Sequence, residues 1–149
     1  MTAADLYTQA VLDHYRSPRN FGELAGFTHS ADGHNPLCGD RLHIQVHVSG
    51  GLVGAMRFRG EACAIATATT SMLSELALGR DSQQLAALAT LFAQLVAGEL
   101  EQAPLLGELN AMGELAYHPL RRKCGLLAFA TLSAALAGAG AASTERIVE

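Results

Sequence analysis

The chain has no tryptophan, and aromatic residues make up only 5% of it. Charge is scarce as well: charged residues reach 16%, with a net charge of −4. No basic stripe is present to neutralise a phosphate backbone, which argues against a nucleic-acid partner. The one basic cluster is Arg121-Arg122-Lys123, and its place directly before Cys124 counts for more than its charge. Cysteine is rare, with three in the chain. An odd number closes no disulfide framework, and reduced thiols point to a cytoplasmic compartment. No C-x-x-C is present, and the cysteines stand 25 and 61 residues apart, which matches no short zinc motif. The stretch Met1 to Tyr15 lacks an apolar leader core and carries Asp5 and Asp13. Cys124 to Thr144 has no charged residue, yet it is alanine-rich and broken by Thr131, Ser133, Gly138 and Gly140. That composition describes a buried core helix, not a membrane span.

What is present is a globular composition, half of it hydrophobic over 149 residues, enough for one domain with a real core. Asp5 to Tyr15 has helical spacing in Leu6, Ala10, Val11 and His14, and Ser17-Pro18 stops it. A short edge strand is expected around Phe27 to Ser30. From Arg41 to Ser49, Leu42, Ile44, Val46 and Val48 alternate with polar residues, the pattern of a half-buried strand. Gly50-Gly51 forms a two-residue hairpin turn. A second strand from Leu52 to Arg59 should place Leu52, Met56 and Phe58 on one face and Arg57 and Arg59 on the other. His43 and His47 share the polar face about 13 Å apart, too far to hold one ion. Helices are expected at Ala64 to Leu78, from the capping box Asp81 to Gln84 on to Ala97, at Glu108 to Leu115, and at Leu120 to Ala137. Thr67, Thr69, Thr70 and Ser71 should bond back to the preceding turn of their helix. Residues 138–149 have the composition of a loose tail.

Asn35-Pro36-Leu37-Cys38-Gly39-Asp40 packs a thiol and a carboxylate into one turn. Pro36 fixes its own φ and Gly39 tolerates angles other residues avoid, so the loop can aim Cys38 and Asp40 at one point. Cys63 and Cys124 each stand near a helix start, where the dipole and nearby cations favour thiolate. Three thiols and one carboxylate suit a borderline-soft metal such as zinc or iron. Free cysteine is also a common core filler, and the residues alone leave both readings open. His118, close before Cys124, is a further candidate ligand or base.

With these residues laid out, the chain resembles the U-type iron–sulfur cluster assembly proteins, the family of IscU, SufU and the N-terminal domain of NifU. The likeness runs from about Leu6 to Leu136. It rests on Asp13-His14-Tyr15-Arg16-Ser17-Pro18-Arg19-Asn20, on Asn35 to Asp40, on Gly60-Glu61-Ala62-Cys63-Ala64-Ile65, and on Arg121-Arg122-Lys123-Cys124. Lys123 replaces the histidine of IscU proteins, and the 60 residues between Cys63 and Cys124 leave room for the SufU insertion, placed at Gly79 to Gly98. The resemblance implies an α+β fold in one domain over 1–149: a small antiparallel β-sheet with helices on one face and the metal site at one end. It also implies zinc held by Cys38, Asp40, Cys63 and Cys124. The function it implies is zinc-dependent sulfur transfer, with Cys38 accepting persulfide sulfur from a PLP-dependent, SufS-like cysteine desulfurase. Lys123 is then a candidate for lowering the pKa of the released thiol. Downstream iron–sulfur assembly proteins would be further partners, with no nucleic acid and no membrane. The alternative is a scaffold building a [2Fe–2S] cluster, with iron, on the same four residues; a further one is a structural zinc module that recruits partners. Two departures stand out. Ala62 replaces a usual glycine, which is costly if φ is positive there, and Gly125 replaces a usual alanine, which should weaken the helix start.

Overall fold

The computed structural model describes residues 6–146. Helix α1 covers Gln9–Arg16, opened by Thr8, whose hydroxyl accepts from Val11 N at 3.3 Å. The expected start at Asp5 lies outside the described residues. Ser17, ahead of Pro18, ends the helix. His14 of α1 is fully buried. Its Nδ1 is 2.7 Å from Ser71 Oγ, and its Nε2 is 3.1 Å from both Glu108 oxygens, so it ties three distant segments together.

Strands β1 (His29–Asn35), β2 (Asp40–Ser49), β3 (Leu52–Glu61) and β4 (Ala141–Ser143) form one sheet in the order β3-β2-β1-β4. The first three are antiparallel, as expected, and β4 runs parallel to β1. Strand β1 starts later than Phe27 and runs further than Ser30. Its polar sequence carries no alternation of large apolar residues. At its centre Gly33 faces a helix so closely that a Cβ would stand 1.9 Å from Thr131 Oγ1.

In β2, Leu42, Ile44 and Val46 are buried as the alternation predicts. The turn at Gly50-Gly51 has φ of 60° and 79°, the doubly positive geometry of a tight hairpin. Beyond it the register shifts, pairing His47 with Ala55 but Val48 with Val53. This bulge puts Val53 in the core and leaves Leu52 45% exposed, so the inward face of β3 is Val53, Met56 and Phe58. His43 bonds Asp32 and His47 bonds the Gly26 carbonyl, so the two imidazoles have separate partners.

Helix α2 covers Ala64–Leu76 and α3 covers Ser82–Val96, the latter opened by the Asp81–Gln84 capping box. Thr67, Thr69 and Thr70 donate to carbonyls of the preceding turn, whereas Ser71 turns to His14 and accepts from Arg19 N at 2.8 Å. Pro104–Tyr117 winds in 3₁₀ turns around a break at Gly107, so the short helix expected over Glu108 to Leu115 is a 3₁₀ stretch that starts earlier. A 3₁₀ turn at Pro119–Arg121 leads into α4, Arg122–Leu136. Helix α4 lies against β1 and β2, and α2 against β3, on one face of the sheet. Phe58, Ile44, Ile65, Leu73 and Leu127 belong to one core, which continues through Phe92 and Leu95 of α3. Each such side chain contributes roughly 1.5–3 kcal/mol by leaving water. Among the described residues no helix is long and apolar enough to cross a membrane.

The expected loose tail from residue 138 is corrected in part. Residues 141–143 extend the sheet, and Thr144 is fully buried. Residues 147–149 lie outside the described residues. Ala62 is not among the positive-φ residues, so alanine costs nothing there through backbone strain. At Gly125 an added Cβ would stand 2.6 Å from Leu115 Cδ1, so the glycine serves packing at the expense of helix propensity.

Candidate metal centre

The ladder between β1 and β2 ends on the pair Asn35↔Asp40, and Pro36 to Gly39 form the loop that joins them. Gly39 takes φ 73°, and its N–H donates to the Asn35 carbonyl at 2.9 Å. This closes the loop and leaves Cys38 exposed at the tip while Asp40, in the strand, is 2% exposed. Cys63 caps α2: its sulfur accepts from Ala66 N at 3.5 Å, and its own N–H donates to Asp40 Oδ1 at 2.8 Å. Cys124, on the first turn of α4, is fully buried.

The ligand atoms of Cys38, Asp40 and Cys124 all lie within 4.8 Å of one another. Cys124 and Cys38 sulfurs are 3.4 Å apart. Cys63 is outside that triangle of mutually close atoms, but its sulfur faces Cys124 and Arg121. The hydrogen bond from Cys124 pulls the Cys63 thiol down to about 6; burial and Asp40 work against this, and Ala66 N–H and Arg121 assist. Cys124 moves the other way: the same contact with Cys63, then burial, then Cys38 and Asp40, hold its proton in place. The expectation that the helix start favours thiolate at Cys124 is therefore corrected, because Cys124 has other sulfurs and a carboxylate as neighbours.

Asn35 is the hub of the site. Fully buried, its Nδ2 donates to Asp40 Oδ2 at 3.0 Å and to Cys124 Sγ at 3.5 Å, and its Oδ1 accepts from Thr144 Oγ1 at 2.7 Å. The donors on the two Asp40 oxygens, Asn35 Nδ2 and Cys63 N–H, are both neutral. A buried carboxylate facing sulfurs with neutral donors behind it is a fit for a cation. Tetrahedral zinc at Zn–S of about 2.3 Å separates two sulfurs by about 3.8 Å, so Cys38 and Cys124 need part by only a few tenths of an ångström. Each Asp40 oxygen keeps a lone pair for a metal. Cys38, Asp40 and Cys124, with Cys63 alongside, could hold zinc or iron.

Two expected contributors are elsewhere. His118 is not in the cluster, and its Nε2 is buried without a hydrogen-bond partner. The cation at the sulfurs is Arg121 rather than Lys123. Its guanidinium lies 5.9 Å from the Tyr7 ring; burial opposes its charge, while Cys63 and Tyr7 raise its pKa. Helix phase explains the exchange, since Arg121 precedes α4 and turns back toward α2. Asn35 lay inside a recognised turn but carried no signal of its bonds, and Thr144 carried none at all.

The NifU-like N terminal domain family matches residues 6–138. The zinc-dependent sulfurtransferase SufU of Bacillus subtilis is 32% identical over 89% of this chain and 90% of its own. The iron–sulfur cluster assembly scaffold protein IscU of Streptococcus pyogenes is 33% identical over 88% of this chain and 82% of its own. A Fervidobacterium islandicum structure described as an iron–sulfur cluster assembly scaffold for the SUF system superposes with a TM-score of 0.84. It covers 91% of this chain and 99% of that one at 24% identity, a likeness of fold. With its three cysteine segments gathered at one end of an α+β fold, the chain belongs to the NifU-like N-terminal domain family.

Proposed function

We propose that this protein is a zinc-dependent sulfur carrier for iron–sulfur cluster assembly, with Cys38, Asp40, Cys63 and Cys124 as ligands and Cys38 as acceptor. One observation carries the reading: Cys38 is the exposed cysteine, held on a loop tip directly above the buried Asp40 and Cys124. Zinc, when bound, keeps the coordinating sulfurs as thiolates. Cys38 can swing out on its loop, whereas Cys124 is fixed in α4 and Cys63 caps α2. The Cys38 thiolate attacks the outer sulfur of a persulfide on a PLP-dependent cysteine desulfurase. The S–S bond to the desulfurase cysteine breaks, that cysteine leaves as thiolate, and Cys38 carries the persulfide. Sulfur is exchanged between thiols and no oxidant is consumed. Exposed Leu37 and Leu120, 60% and 76% accessible, flank the site in sequence and suit docking of a protein partner. The chain acts in this reading as one unit over 1–149 in the cytoplasm, and passes sulfur to downstream iron–sulfur assembly proteins.

The similarity to IscU scaffolds supports a second reading, a [2Fe–2S] cluster assembled on the same residues. Steady-state turnover of a SufS-type desulfurase with and without the protein separates them. The carrier reading expects stimulation that Cys38→Ser abolishes, with zinc and no sulfide in the purified protein. Stoichiometric iron and sulfide would favour the scaffold. Zinc with no stimulation would leave a structural module.

A further inference from the structure

The donor set has a support that lies beyond the residues the family match covers. Strand β4 pairs in parallel with β1 in the register Asp32↔Ala141, Gly33↔Ala142 and His34↔Ser143. The ladder ends there, and Thr144, the first residue of the 3₁₀ turn Thr144–Arg146, lies beside Asn35. The family match ends at residue 138, so this strand is outside it.

The Thr144 hydroxyl donates to Asn35 Oδ1 at 2.7 Å, and both groups are fully buried. The other end of the same amide points at two acceptors, Asp40 Oδ2 and Cys124 Sγ. An amide has two unlike ends, and both hydrogens of this one are engaged. Turned over, Asn35 would set its carbonyl oxygen against a carboxylate and a sulfur, three electron-rich atoms facing one another. Asp40 and Cys124 fix the orientation in which the NH₂ faces the ligands, and the Thr144 hydroxyl satisfies the buried oxygen left on the far side. Asn35 in turn holds Asp40 and Cys124 in the positions that bring them within 4.8 Å of Cys38. Outer partners of this kind orient metal ligands and set affinity.

We propose that Thr144 is a positioning residue of the metal centre, acting through Asn35 on Asp40 and Cys124. This rests on the zinc-site reading above. Removing the hydroxyl leaves the buried Asn35 oxygen without a partner, loosens the amide and both ligands it holds, and weakens the metal, while the β4 pairing stays. Strand β4 then carries the turn that completes the site and is not only a fourth strand of the sheet.

The test compares the full-length protein with Thr144→Val, which keeps the β-branched shape, and Thr144→Ser, which keeps the hydroxyl. Zinc affinity is measured by chelator competition, and the cobalt(II) form by its visible and thiolate charge-transfer absorption. Thr144→Val is expected to lose roughly tenfold or more in zinc affinity and to shift the cobalt bands, and Thr144→Ser to restore both. Val matching the native protein in affinity and spectrum, or Ser falling as far as Val, would overturn the proposal. A native protein that takes up neither metal would overturn the zinc reading together with it, a result told apart from the first by the native sample alone. Should Thr144→Val not fold, NMR of the native zinc protein decides. Asn35 amide protons with cross-peaks to the Asp40 and Cys124 β-protons are expected. Cross-peaks to Thr144 in their place would overturn it.

Discussion

Asn35 and Asp40 are paired across the end of the β1–β2 hairpin, and the Asn35 amide donates to the Asp40 carboxylate at 3.0 Å. The ladder that ends the hairpin thereby also sets a proposed ligand. Because Cys63 N–H donates to the other Asp40 oxygen, the same carboxylate joins the hairpin to the start of α2. Removing it therefore has structural as well as chemical consequences.

Asp40→Ala should weaken zinc binding and cost about 1–3 kcal/mol of stability, since the buried Asn35 amide and the half-buried Cys63 N–H lose their acceptor. It leaves Cys38 in place, so persulfide transfer should persist wherever the variant remains folded. Chelator competition, thermal melts and single-turnover transfer check the three parts. Full loss of transfer in a folded variant would show that Asp40 does more than hold metal.

Zinc removal should lower the melting temperature. The proposed ligands come from the β1–β2 hairpin, the cap of α2 and the first turn of α4, a set that only the folded chain brings together. At about a thousandfold excess of free zinc over Kd, linkage gives about 4 kcal/mol, on the order of 10 °C for a chain of this size. Melts before and after verified removal test this, and an unchanged curve would mean a peripheral metal.

In the metal-free protein Cys63 should alkylate with a midpoint near pH 6, and Cys124 only on unfolding. The sign of the stability effect follows. The Cys63 pKa is lower when folded than the ordinary 9.0, so its contribution is full above that value and is lost as pH falls through about 6. Site-resolved alkylation by mass spectrometry reads the midpoint. A Cys63 midpoint at the ordinary thiol value would remove the contacts with Cys124 and Arg121 from the account.

Gly125→Ala should destabilise the protein despite the better helix propensity. The propensity gain is at most about 1 kcal/mol. The methyl group would press on Leu115, itself fully buried, and overpacking costs roughly 1–3 kcal/mol. A melting temperature at or above the native value would show that Leu115 has room to move.

Much of this architecture was legible in the sequence because local rules and burial agree. The alternation in β2, the Gly50-Gly51 turn and the Asp81 capping box each carry their own signal. Strand β1 was misplaced because its pairing depends on Gly33 lying under Thr131, a long-range contact without local trace. The bulge opposite Val48 moved Val53 inward for a similar reason. The cysteines and Asp40 were visible as residue types in telling contexts. Their unequal acidity was not, since it comes from which sulfur lies beside which. Arg121 in place of Lys123, and Thr144 behind Asn35, are matters of helix phase and strand register that only the folded chain decides.

The central claim is that sulfur is received on Cys38. Its most direct test is persulfide mapping by mass spectrometry on the native zinc protein after incubation with a SufS-type desulfurase and cysteine. The account predicts an added sulfur on Cys38 and none on Cys63 or Cys124. Persulfide on either of those two with Cys38 unmodified would contradict it, and so would a cluster assembled with no cysteine modified.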